Sequence, residues 1–183
     1  GFHRSGALHE LSNALWSLLV HTRSNVEVVL LAQDLDSEQR VALEELLQAM
    51  PIGVNRHHIR VQHFTSDDTV KDLRCVMLNQ GVALASNRYV TFLDYDDTLF
   101  PGALTQLAWR LDMTGARATF GRVYHADLDD RTGLVQERRI NHGYGSSYSD
   151  FYQDNCAPIH SFMLDKSRID LGAIRYFPDM KFM

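Results

Sequence analysis

Apolar residues along the first 115 positions follow two alternating rhythms. Leu8, Leu11, Leu15, Leu18 and Leu19 recur three or four apart, the spacing of one helix face, and Asn25 breaks the run. Val26–Ala32 (VEVVLLA) is almost continuously apolar, which predicts a strand covered on both faces. Asp36 and Ser37 can cap a second helix striped by Leu43, Leu46, Leu47 and Met50, with Pro51 ending it. Ile59–Phe64 reads as a strand. Ser66 or Asp67 is the expected cap of a third helix carrying Val70, Leu73, Met77, Gly81 and Leu84. Tyr89–Leu93 reads as another buried strand. Pro101 suits the first turn of a fourth helix, with Ala103, Leu104, Leu107, Ala108 and Leu111 on one face.

Beyond Gly115 the texture changes. ATFGRVYHADL and GLVQERRI read as two strands around the turn Asp129–Gly133, Asn141–Asp150 as a loop, and Pro158–Lys166 as a further strand. Alternation of helix and strand up to Gly115 implies an α/β fold with a parallel sheet and helices on both faces. Ligands of such sheets bind beyond the carboxyl ends of the strands. Asp94, Asp96 and Asp97 stand at that place, behind the strand at Tyr89–Leu93.

The bulk properties narrow the class. A chain of 183 residues suits one domain, and 45% hydrophobic with 22% charged residues is ordinary globular composition. A formal net charge of −5 argues against nucleic acid as a partner. The longest apolar stretch, near Val26–Ala32, is far short of the roughly 20 residues of a membrane span. No signal-peptide pattern is visible, and Cys75 and Cys156 lack metal or redox spacing, so a cytoplasmic, reducing setting is expected.

Three carboxylates in four positions repel one another and call for a cation. Carboxylates at a strand end can hold one hard divalent ion, which can bridge a diphosphate. Asp94, Asp96, Thr98 and Leu99 also match the motif of haloacid dehalogenase-type phosphatases, with Asp94 as nucleophile and Asp96 as acid/base. A solvated acidic turn favoured by the following helix dipole is the third reading. Context disfavours the phosphatase. Its motif belongs to a first strand and needs a later Ser/Thr strand end and a lysine, whereas only Lys166 and Lys181 follow the cluster.

Arg74 to Leu107 (RCVMLNQGVALASNRYVTFLDYDDTLFPGALTQL) resembles the central signature of family 2 glycosyltransferases. Arg74, Leu78, Asn79, Gly81, Tyr89, Phe92, Leu93, Asp94, Asp96, Asp97, Pro101 and Leu104 fall into register, with Asn87 in place of the usual glycine. LSNALWSLLVHTRSNVEVVLLAQD and APIHSFMLDKSRI resemble the flanking segments, so the resemblance covers most of Leu8–Ile169.

The resemblance implies a GT-A (Rossmann-like) fold with a mostly parallel central sheet flanked by helices, plus a mixed acceptor-side region. Residues 1–115 would form the nucleotide-sugar-binding half and 116–183 the acceptor-side half. It also implies inverting transfer from a nucleotide-sugar donor, a UDP-sugar favoured over GDP- or dTDP-sugars, to a glycan, lipid-linked or other hydroxyl acceptor. The expected donor residues are Asp94, Arg74, Asp34 and Asn79. The expected ligands of a divalent metal, Mn²⁺ or Mg²⁺, are Asp96, Asp94 and Asp97, with Asp96 foremost. Many relatives work at the cytoplasmic face of a membrane, so peripheral docking there is compatible with the resemblance. A sugar-nucleotide-binding module without catalysis is the alternative of another class.

Three departures accompany it. Gly1–Gly6 matches the loop after the family's first strand, which places that strand ahead of Gly1. Ala32-Gln33 stand where paired acids are usual, with Asp34 one step late. The general base is expected past Met183, after YFPDMKFM. For Arg74 an ion pair with Asp72 is an equal reading. Among the histidines, His160 is read first as a satisfied, partly buried residue and second as a contact for acceptor or diphosphate. His57, His58 and His63 lack zinc spacing. Tyr144, Tyr148, Phe151 and Tyr152 could stack on a sugar or anchor their loop.

Overall fold

The computed structural model describes residues 1–19, 26–50, 59–67, 73–129, 132, 135–141 and 158–170. In chain order its elements are β1 (Phe2–His3), α1 (Leu8–Leu19), β2 (Val28–Gln33), α2 (Ser37–Ala49), β3 (Ile59–Phe64), α3 (Arg74–Leu84), β4 (Tyr89–Thr91), α4 (Ala103–Thr114), β5 (Ala118–Phe120), β6 (Val123–Leu128), β7 (Val135–Asn141) and β8 (Phe162–Asp165). Short 3₁₀ turns at Ile159–Ser161 and Lys166–Arg168 bracket β8.

A parallel sheet runs β1-β2-β3. Its centre, β2, is apolar on both faces as expected. Leu30 and Ala32 pack with Leu11 and Leu15 of α1 and Leu43 of α2, whereas Leu31 packs with Leu73 and with Met77 of α3. The strand begins at Val28 rather than Val26. Glu27 is drawn aside, where its carboxylate accepts from the amide and hydroxyl of Ser86 at 2.7 and 2.6 Å and its pKa is lowered by those bonds.

The expectation that Gly1–Gly6 is wholly loop is corrected. Phe2 and His3 pair in parallel with Ala32 and Gln33, and Phe2 is buried in the core.

The third helix also starts later than expected. It is described from Arg74, with Leu73 at a cap position that makes no side-chain hydrogen bond. Ser66 is engaged elsewhere, because its amide and hydroxyl both donate to Asp34. Asp36 does cap α2 and forms a reciprocal capping box with Gln39.

Pro101 lies in the turn before α4 rather than in its first turn. The Ala103 amide donates to the Phe100 carbonyl, and Gly102 follows Pro101 with φ 80° and ψ −3°. Proline then a left-handed glycine is the type II pairing, so this dipeptide makes a turn that launches the helix.

The strand leading to the acidic cluster is not hydrogen-bonded into the parallel sheet. Among the described residues, β4 pairs antiparallel with β8, which pairs antiparallel with β5 on its other edge. It ends at Thr91, so Phe92 and Leu93 lie past it. The segment ATFGRVYHADL is two strands in two sheets, split at Gly121, whose amide donates to the Ser161 carbonyl. The second of them, β6, forms a hairpin with β7. Buried Asp165 fastens this region. It accepts from the Arg88 guanidinium (Nη2–Oδ2 2.6 Å) and from Ser167 and forms an ion pair with Arg168 (Nε–Oδ2 3.0 Å), and the bonds from Arg88 first and Ser167 next hold its carboxyl far below the usual range.

Between the free edge of β2 and that of β4 runs a groove of about 630 Å³.

Candidate functional site

Antiparallel pairing of β4 with β8 builds the site. Thr91 stands opposite Met163. Continued three positions, the same register sets Asp94 opposite His160, in the 3₁₀ turn that precedes β8. One ring contact and one hydrogen bond hold the approach. Phe92 meets Phe162 edge-on at 5.7 Å, and the Thr91 hydroxyl donates to the Phe162 carbonyl at 2.7 Å. After β4 the chain turns back, the Asp97 amide donating to the Asp94 carbonyl. Further on, the Ser17 hydroxyl receives the Leu99 amide, tying this loop to α1.

Tyr95 packs edge-on against Phe2 at 5.6 Å and His3 at 5.3 Å, which anchors the loop on the end of the parallel sheet.

Asp94, Asp97 and His160 converge. One possible ligand atom from each lies within 4.8 Å of the others. His160 Nδ1 approaches Asp97 Oδ2 to 2.7 Å, and the carboxylate raises the imidazole pKa. Hydrogen bonding to Asp97 is the chief cause of that rise, ahead of the charges of Asp97, Asp94 and Asp96, and burial opposes it. Burial raises the Asp94 pKa, opposed by the Gly1 amino group 4.0 Å away and reinforced by Asp97 and Asp96. The group is thus two oxygens and one nitrogen held close, with a proton or a cation needed to balance them. Such a mixed set suits a divalent ion that accepts both carboxylate and imidazole, Mn²⁺ better than Mg²⁺.

Asp96 is exposed and stands outside this convergence. Asp34 lies at the end of β2 with φ 55°, a left-handed conformation that aspartate tolerates better than most residues. Its carboxylate accepts from the Ser66 amide and hydroxyl, both at 2.7 Å, and from Gln33 at 2.9 Å; the Ser66 amide is the chief cause of its lowered pKa. It clamps the ends of β2 and β3. Arg74 is exposed at the start of α3, and Asn79 is half-buried one turn later.

His63 is exposed on β3 and paired with Ala32. His57, His58, Asp72, Cys156 and the aromatics Tyr144, Tyr148, Phe151 and Tyr152 lie outside the described residues. Sequence reading gave His160 only second place as a site residue. Its partnership with Asp97 depends on strand pairing across more than sixty residues, and the only local signal was a histidine directly before an apolar strand.

A protein-family model described as "Glycosyl transferase family 2" matches residues 4–167. The chain belongs to glycosyl transferase family 2. Among solved structures this family 2 chain is similar to S. aureus TarS 1-349, a GT-A glycosyltransferase, with TM-score 0.59 and 14% identity. The match covers 98% of this chain and 50% of TarS 1-349, so the chain spans about half the length of that relative. The likeness identifies the fold as GT-A. No curated protein matches. No helix among the described residues is long and apolar enough to cross a membrane.

Proposed function

We propose that this chain is the donor-binding part of an inverting glycosyltransferase that moves a sugar from a nucleoside-diphosphate donor, UDP favoured, to an acceptor hydroxyl. The observation carrying this reading is the convergence of Asp94, Asp97 and His160 at the carboxyl end of β4 in a family 2 chain. Asp94 and Asp97 hold a divalent cation, Mn²⁺ before Mg²⁺, with His160 as the neighbouring nitrogen donor. When bound, that cation neutralises charge on the departing diphosphate.

The chain's own residues do the rest. Asp96, exposed beside the cluster, would contact the donor and supply a further carboxylate to the cation when nucleotide is bound. Arg74 and Asn79 contact the base or phosphates. Asp34 shapes the donor pocket by fixing the ends of β2 and β3. Transfer further needs a carboxylate to take the acceptor's proton, and no described residue is given that role.

Calorimetric titration of UDP and GDP, with and without Mn²⁺, tests the reading. UDP binding that requires Mn²⁺ and is lost in Asp94→Asn supports it. Binding indifferent to metal and to that substitution refutes the cation assignment, and binding without turnover over a range of sugar donors would favour a sugar-nucleotide-binding module.

A further inference from the structure

Two exposed aromatic residues stand beside the Asp94, Asp97 and His160 group without belonging to it. Phe100 and Tyr124 meet edge-to-face, their ring centroids 5.4 Å apart and their planes at 72°. Their exposures are 49% and 39%, so each ring keeps a large part of its surface in solvent.

The chain ties both rings to the site. Phe100 lies three residues past Asp97, in a loop pinned where the Leu99 amide donates to the Ser17 hydroxyl and the Ala103 amide to the Phe100 carbonyl. Tyr124 lies three residues past Gly121, whose amide donates at 2.6 Å to the carbonyl of Ser161, the residue after His160. Three extended residues span at most about 10 Å. The pair therefore bridges the loop that carries Asp97 and the turn that carries His160.

The setting of the pair decides what it suits. Asp96, Thr98 and Arg122, close to it in sequence, are exposed polar residues. Two rings framed by polar groups make too small a patch for a helix or an acyl chain, which need a continuous apolar surface. A sugar ring matches both parts. Its C–H faces lie against aromatic rings, while its hydroxyls meet the polar frame and the Tyr124 hydroxyl. An edge-to-face pair serves this well, because one of its rings gives the other only an edge and keeps its own face free.

We propose that Phe100 and Tyr124 are the stacking platform of the acceptor subsite and that the acceptor is a carbohydrate ring. This selects a sugar hydroxyl over the hydroxyl of a lipid, an open-chain polyol or a protein. The proposal rests on the donor-site reading above, in which the diphosphate sits at Asp94, Asp97 and His160. The platform holds the acceptor ring beside the sugar carried by that diphosphate and contributes nothing to cation binding.

The test uses cellotetraose, chitotetraose and maltotetraose as ring-bearing probes and ribitol as an open-chain polyol. Saturation-transfer NMR without donor reads which probe protons touch the protein, and aromatic-region shifts of the parent protein read which rings respond. Ring C–H protons of at least one tetrasaccharide should take up saturation, with ribitol silent and the shifts centred on Phe100 and Tyr124. Phe100→Leu and Tyr124→Leu keep apolar bulk but remove a ring, and should weaken that binding by roughly three- to tenfold. Phe100→Trp and Tyr124→Phe should retain most of it. Were the rings only anchors of the β6–β7 hairpin, the leucine variants would melt earlier yet bind sugar as the parent does, which overturns the proposal. No saturation of any tetrasaccharide, or parent shifts that bypass both rings, overturns it as well, and neither reading needs a variant to fold. Octyl glucoside bound through its alkyl rather than its ring protons would assign the patch to an apolar partner and overturn it too. Calorimetry of UDP with Mn²⁺ on the same proteins separates the two readings. The leucine variants should bind UDP as the parent does. Tetrasaccharide binding on the rings without any UDP binding would refute the donor site while supporting the carbohydrate platform.

Discussion

Asp97 and His160 meet at 2.7 Å although sixty-two residues separate them in the chain. The contact joins the loop after β4 to the turn before β8, and only the antiparallel pairing of those strands makes it possible. It sets an imidazole nitrogen and a partial counter-charge beside the carboxylates of Asp94 and Asp97.

Replacing His160 tests that role directly. In His160→Gln the Mn²⁺ dissociation constant is expected to rise by roughly 10–100-fold, the range seen when supporting partners of a metal are lost. Pulsed EPR of bound Mn²⁺ should show an imidazole nitrogen coupling in the parent protein and none in the variant. Unchanged affinity and an absent coupling in both would remove His160 from the site.

Asp97 and Asp96 should separate in their effects. Asp97→Asn is expected to weaken Mn²⁺ binding in the absence of nucleotide by about tenfold or more. Asp96→Asn should leave that binding within about threefold and instead weaken UDP in the presence of Mn²⁺. Equilibrium dialysis for the ion and calorimetry for the nucleotide decide it; the reverse order would restore Asp96 as the foremost ligand.

The clamp at Asp165 predicts an acid-labile fold. Asp165→Asn leaves Arg88 and Arg168 without their buried carboxylate, at an expected cost of about 3 kcal/mol or more, roughly 6–12 °C in melting temperature. The folded-state pKa of Asp165 is depressed, so its contribution is complete above the unfolded carboxylate value near 3.9 and is lost as pH falls below that. Melting followed from pH 6 to pH 2 should show the parent losing stability as acid is added and the variant showing a smaller slope.

Asp34 joins a left-handed backbone to three accepted hydrogen bonds, and substitutions can separate the two. Stability by urea unfolding should fall in the order Asp, Asn, Gly, Ala. Alanine should lie below glycine by about 1 kcal/mol, because a Cβ without a compensating side-chain bond is strained at positive φ. Alanine more stable than glycine would mean that the β2 end relaxes out of this conformation.

How much was legible in the sequence depended on the range of the forces involved. The stripe on α1, the continuous apolar run of β2, the cap at Asp36 and the strand Ile59–Phe64 follow from periodicity and local hydrogen bonding, so the amino-acid order determined them. The signature from Arg74 to Leu107 likewise indicated the family, because its turns and its close approach at Gly81 each demand particular residues within a few positions. Boundaries moved where a side chain was claimed from afar, Glu27 by Ser86 and Ser66 by Asp34. The partners of β4 and the placing of His160 beside Asp97 were decided by tertiary structure. They arise from pairings between segments sixty or more residues apart, and hydrophobic rhythm carries no register across such distances.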